Sequence, residues 1–154
     1  MQLHLEGSEE LRLPRDRVYL LLTDPNFIAN SIPDSQEVKV TGEDSVEAKM
    51  KIGISFVTMM MQVKMRIADK RPPTHARLLA EGSGSGSNMK ITSDFDLEGE
   101  SVTRMRWAAD AEITGVMAGI GSTILRGFSE KKVAEIFLGI KDAMEKQAQP
   151  DRRG

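Results

Sequence analysis

A chain of 154 residues, 40% hydrophobic and 29% charged, with a net charge of −2, has the balance of one globular domain, expected over 1–148 with a flexible tail at 149–154. The 21 basic and 23 acidic residues form no basic arm or stripe, which argues against nucleic acid as a partner. The absence of cysteine excludes disulfides, thiolate metal sites and cysteine nucleophiles.

At the amino terminus, MQLHLEGSEELRL alternates: Leu3, Leu5, Gly7, Leu11 and Leu13 share one phase and His4, Glu6 and Ser8 the other. That period of two predicts a half-buried strand and contains no apolar leader core. Pro14 opens PRDRVYLLLTD, a short helix, and DPNFIANSIP predicts a second, with Asp24 as N-cap, Pro25 at the first helical position and Pro33 past its end. From residue 36 onward alternation returns. Val38 and Val40 precede a hairpin turn at 41–45, and Val46, Ala48, Met50 and Ile52 follow it. Val57, Met59, Met61, Val63, Met65 and Ile67 then form one apolar face in strict alternation. Beyond RPPT (71–74), Ala76, Leu78 and Ala80 continue that phase, and Gly82, Gly84 and Gly86 of EGSGSGSN fall on it too. Met89, Ile91, Phe95 and Leu97, then Met105, Trp107, Ala109, Ala111 and Ile113, complete the inner face. The short connections predict an antiparallel meander with one charged and one apolar side. Residues 116–148 carry a helical period, so the architecture is α+β: a curved antiparallel sheet around a long C-terminal helix, with two short helices after the first strand.

Two features resist a simple core. Three glycines on one face of a strand remove side-chain volume, which serves either a close backbone approach, a bulge, or a ligand cavity. On the terminal helix, Met117, Gly121, Ile124, Leu125 and Phe128 form one stripe, and Val133, Ile136, Phe137, Ile140 and Met144 another, offset by roughly 140° at about 100° per residue. One flat surface cannot bury both. Either the helix kinks near Gly127 and Ser129, or one stripe meets a guest, a second subunit or a membrane.

Catalytic signatures are sparse. His4 and His75 both fall on solvent phases, about 70 residues apart, which does not make a metal site. GVMAGIG (115–121) lacks both the lysine of a phosphate loop and dinucleotide spacing. No cofactor motif and no metal site is read, and no catalytic residue is assigned. The ten methionines against one tryptophan give an adaptable interior. The expected cavity lining is Met59, Met61, Met65, Gly82, Gly84, Phe95, Met105 and Trp107 from the sheet, with Ile120, Ile124 and Phe128 from the terminal segment.

LLTDPNFIANSIPDSQEVKV, AEGSGSGSNMKITSDFDLE and AADAEITGVMAGIGSTILRGF, in this order before an amphipathic helix, resemble the CoxG family of carbon monoxide dehydrogenase subunits. The likeness covers about residues 1–145. That family is similar to the START-like SRPBCC superfamily, whose helix-grip fold closes a long helix over a hydrophobic cavity. The resemblance implies a non-catalytic accessory protein binding a lipophilic small molecule such as a quinone, beside a molybdenum-containing carbon monoxide or xanthine dehydrogenase. With no apolar leader core and no apolar run near 18 residues the expected location is the cytoplasm, and the resemblance adds peripheral contact at the inner face of the membrane. Family members often have Ile-Pro-Gly-Cys where this chain has Ile32-Pro33-Asp34-Ser35, and some carry an apolar tail where this chain reads KQAQPDRRG. The alternatives are a cyclase or dehydratase of the same superfamily, which needs a polar group inside the cavity, and a structural adaptor for dehydrogenase assembly.

Overall fold

Alternating residues from β1 (Gln2–Leu11) and β2 (Ser35–Gly42) through β7 (Thr103–Gly115) pair into one seven-stranded antiparallel sheet. The computed structural model describes residues 1–32, 34–54 and 57–148; Pro33 and the tail expected at 149–154 lie outside the described residues. The intervening strands are β3 (Ser45–Ile54), β4 (Val57–Arg71), β5 (His75–Gly84) and β6 (Ser87–Gly99). The strand order is β1-β7-β6-β5-β4-β3-β2, so the meander runs edge to edge and β1 returns to pair with β7. Helices α1 (Arg15–Leu22) and α2 (Pro25–Ser31) therefore bridge opposite edges of the sheet. As expected, Asp24 caps α2, accepting from the amides of Asn26 and Phe27. The curved sheet and the long helix α3 (Ser122–Ala148) make the α+β, helix-grip architecture expected from the sequence.

Register explains why one face is wet. On the outer side, Glu47, Lys64, Glu81, Lys90 and Glu112 stand opposite one another across β3 to β7, an alternating charge row. A one-residue slip would send these charges inward and the methionines outward, so the row and the core specify the same register. Further along this face, His4 of β1 pairs with Asp110 of β7 at 2.7 Å and with Glu6 at 3.3 Å. The hydrogen bond to Asp110, then that to Glu6, raises the His4 pKa above its ordinary 6.5. A raised folded value stabilises the protonated form. Its contribution is complete below about 6.5 and is lost as pH climbs through the raised value. The melting temperature is therefore expected to rise more steeply between pH 8 and 6 in the native protein than in His4→Gln, as measured by calorimetry.

The glycine run is a hairpin. Ser85 and Gly86 both have positive φ, 50° and 73°, so they form the two-residue loop between β5 and β6. Gly86 is thus a turn residue and does not sit on the inner face. At Gly84 (φ 150°) a Cβ would meet the Met60 carbonyl of β4, so this glycine serves a close backbone approach. Gly82 stays in the strand, but Met89, Met61 and Val63 already fill the space beside it. Of the readings left open by the sequence, the structural ones hold at Gly84 and Gly86.

The terminal segment also differs from expectation. A 3₁₀ turn spans Val116–Ile120, and Gly121 (φ 105°) separates it from α3. Met117 therefore sits outside the helix, held where its amide donates to Ser87 Oγ at 2.9 Å. Helix α3 runs through Gly127 without interruption. Its two stripes are resolved by its two ends. Leu125 is buried in a cluster with Leu3, Met59, Met61 and Met117, whereas Ile140 and Met144 are buried in another with Leu11, Leu13, Val18, Phe95 and Met105. Among the described residues, no helix is long and apolar enough to cross a membrane.

Candidate ligand-binding site

Between the two clusters the concave face has a row of half-exposed residues. Cross-strand pairing lines up Leu78 of β5, Ser93 of β6, Ala109 of β7 and Leu5 of β1 in one row pointing toward α3. All four are partly exposed, although they lie mid-sheet on the face that the helix covers. Ser93, Ala109 and Leu5 belong to neither cluster, and Leu78 packs on the margins of both. The flanking row contains Ala80, Ile91 and Ala111, again mostly small. Close packing elsewhere leaves few voids. With Ser93 and Ala109 small and all four positions half-exposed between two filled clusters, this row is the candidate lining for a guest under the helix.

Helix α3 is anchored at both of its sides. Arg126 donates to the His4 carbonyl at 3.1 Å, and Lys141 pairs with Glu9 of β1 at 2.6 Å. On the other side, Lys132 reaches Asp34 at 3.4 Å, and Gly139 lies against the Ser31 carbonyl at the end of α2. Facing the sheet, Phe128, Val133, Ile136 and Phe137 are all half-buried. Phe137 meets Trp107 of β7, ring centroids 5.2 Å apart and tilted 42°. The Trp107 indole in turn lies over Gly7, where any Cβ would come within 3.0 Å of the ring.

The expected lining residues divide by this geometry. Met59, Met61, Met65, Met105 and Phe95 are buried and fill the two clusters. Gly82 is buried among methionines, and Gly84 faces backbone. Ile124 points outward, 50% exposed. Trp107 is half-buried against the cluster around Phe95, and Phe128 and Ile120 are half-buried against the cluster around Met117. Sequence reasoning named Met89, Ile91, Phe95 and Leu97 on β6 and left Ser93 unmentioned. Its signal is the coincidence of small inward residues at paired positions on β6 and β7. Two surface hollows lie elsewhere. One, of about 370 Å³, sits on the charged outer face around Lys64, Glu81 and Lys90. The other, of about 330 Å³, lies beside Glu10, Arg12 and Glu145.

A curved sheet crossed by a long terminal helix accompanies a match to a known sequence profile, that of the carbon monoxide dehydrogenase subunit CoxG, over residues 7–145. The chain belongs to the CoxG family. No curated protein sequence gives a significant match. Among solved structures, this CoxG-family chain is similar to a conserved protein from Geobacillus kaustophilus, with 27% identity, a TM-score of 0.84 and coverage of 94% and 96% of the two chains. It also resembles a START superfamily protein from Mycobacterium smegmatis (8% identity, TM-score 0.72, coverage 94% and 98%). A third similar structure is the Zhui aromatase/cyclase from Streptomyces sp. R1128 (11% identity, TM-score 0.69, coverage 97% of each). At such identities the last two establish the START-like fold alone.

Proposed function

We propose that this CoxG-family protein is a non-catalytic carrier that holds a lipophilic small molecule, of the quinone class, in the gap under α3. In this reading it serves a molybdenum-containing dehydrogenase of the carbon monoxide type at the cytoplasmic face of the membrane. The half-exposed row Leu78–Ser93–Ala109–Leu5, lying between two packed clusters, carries the proposal. Burying apolar surface of a guest against it gains about 25 cal/mol per Å². Met60, Val116 and Ile124, 44%, 55% and 50% exposed, offer apolar side chains for a membrane contact. Glu9 on the inner phase of β1 is paired with Lys141, and this mutual satisfaction favours binding over proton chemistry.

The test is a melting curve with a short-chain ubiquinone analogue. At a hundredfold excess over Kd, binding adds about 2.7 kcal/mol, or roughly 5–10 °C for a chain of this size. No shift with any quinone analogue, together with no apolar molecule retained in native mass spectrometry, would overturn the carrier reading. Failure to recover a dehydrogenase subunit from the native host would remove the proposed partner while leaving the cavity intact.

A further inference from the structure

The outer face of the sheet divides at its charge row, Glu47, Lys64, Glu81, Lys90 and Glu112. One row nearer the β5–β6 hairpin stand Lys49, Gln62, Ser83, Asn88 and Thr114, and beyond them Lys51 faces Met60. At this end of the sheet the segments 48–54, 57–63, 82–89 and 113–129 contain Lys49, Lys51 and Arg126 and no acidic residue, in a chain that has 23. Glu37 of β2 reaches Lys49 at 3.0 Å. Lys51 and Arg126 have no carboxylate partner among the described residues, and Arg126 spends one N–H on the His4 carbonyl. Across the charge row, Glu6, Asp94, Asp96, Glu98 and Asp110 crowd the same face.

The acid-free end also carries the exposed apolar side chains of Met60, Val116 and Ile124. The backbone ties them to one end of the molecule. Gly84 packs on the Met60 carbonyl, and Gly86 meets the Val116 side chain, whose amide donates to the Gly86 carbonyl at 3.0 Å. The 3₁₀ turn then leads from Val116 to α3, with Ile124 in its first turn. Single exposed apolar residues are ordinary, but these coincide with the absence of acids. Apolar side chains edged by unpaired cations complement an anionic bilayer: the apolar groups enter the headgroup boundary, and each cation near the surface adds about fivefold in affinity. We infer that the β5–β6 hairpin end of the sheet, with the 3₁₀ turn and the first turn of α3, is a docking surface for an anionic lipid bilayer. This rests on the membrane placement in the proposed function, and adds to it which end meets the lipid and which charge the lipid must carry. The acid-rich end is repelled by the same surface, so the separation of charge orients the protein before contact.

The experiment is flotation of the native protein with vesicles of phosphatidylcholine alone and of phosphatidylcholine with about 30% phosphatidylglycerol. The anionic vesicles are expected to bind about tenfold more tightly at low salt, and the difference should shrink at about 0.5 M salt, where charge is screened. Lys51→Glu should weaken binding to the anionic vesicles by about tenfold or more. Arg104→Glu makes the same change of net charge at the acid-rich end, opposite Glu98, and should leave binding within about twofold. Val116→Ser combined with Ile124→Ser should weaken binding to both kinds of vesicle. The comparison of Lys51→Glu with Arg104→Glu decides the matter even if the double variant fails to fold. Equal binding of neutral and anionic vesicles would overturn the anionic surface and leave the membrane placement standing. Equal losses in Lys51→Glu and Arg104→Glu would overturn the assigned end. No binding to either vesicle, with a dehydrogenase subunit bound by the native protein and not by Lys51→Glu, would give this end to a protein and overturn the proposal. No binding to anything would overturn the membrane placement as well, while quinone binding in the melting experiment still judges the carrier reading separately.

Discussion

Replacing Ala109 by leucine is expected to leave the protein as stable as before or raise its melting temperature, while weakening binding of an apolar guest by roughly a hundredfold. The same change at Ala76 should do the opposite to stability. Both alanines sit on the inner face, Ala76 of β5 opposite Phe95 and Ala109 of β7 between Ser93 and Leu5. Ala76 is fully buried inside the cluster of Ile67, Phe95 and Leu97, so the added carbons of leucine meet occupied space and cost about 1–3 kcal/mol. Ala109 is partly exposed and belongs to neither cluster. There the added carbons enter the proposed gap, and each buried methylene contributes up to about 0.8 kcal/mol. At roughly 2–4 °C per kcal/mol for a chain of this size, the two variants should separate clearly in a melting experiment. A guest must share the volume that the leucine now occupies. Displacing it or distorting the row costs about 2.7 kcal/mol, equivalent to the hundredfold loss. If Ala109→Leu is destabilised as much as Ala76→Leu, the row is filled in solution and the gap does not exist.

The contrast between these alanines shows where sequence reading runs out. Alternation alone placed both on the concave face, because side-chain direction in a strand follows a period of two. It also delivered the sheet, its register-bearing charges and the two short helices, since each is written in local pattern and capping chemistry. What it could not see is depth. Whether an inward residue is packed or left open depends on how far α3 stands from that part of the sheet, and that distance is set by Gly139, Glu9, Asp34 and His4, remote from one another in sequence. The glycine run drew attention as missing volume, yet its residues answer to a turn and to the β4 backbone. The half-exposed row under α3 is marked instead by serine and alanine at paired positions, which look ordinary until β6 and β7 are set side by side.

The distance of α3 from α2 gives the second large effect, a pair of glycine-to-alanine changes in one helix with opposite signs. Gly127 and Gly139 are both helical, and alanine in a helix interior is favoured by about 1 kcal/mol. At Gly127 an added Cβ meets nothing within 4 Å, so that gain should be realised in full, raising the melting temperature by roughly 2–4 °C. At Gly139 the Cβ would stand 2.5 Å from the Ser31 carbonyl oxygen. That oxygen is backbone at the end of α2 and cannot swing aside as a side chain would. Relieving the clash means moving α2 or α3, at the roughly 1–3 kcal/mol typical of overpacking. This exceeds the propensity gain, and Gly139→Ala should melt several degrees lower. Because moving α2 against α3 disturbs the seat of α3 over the proposed gap, the same variant should also bind its guest less tightly, whereas Gly127→Ala should bind normally. A stabilised Gly139→Ala would show that the helices are not in contact there, and a destabilised Gly127→Ala would show that α3 bends where the sequence suggested it could.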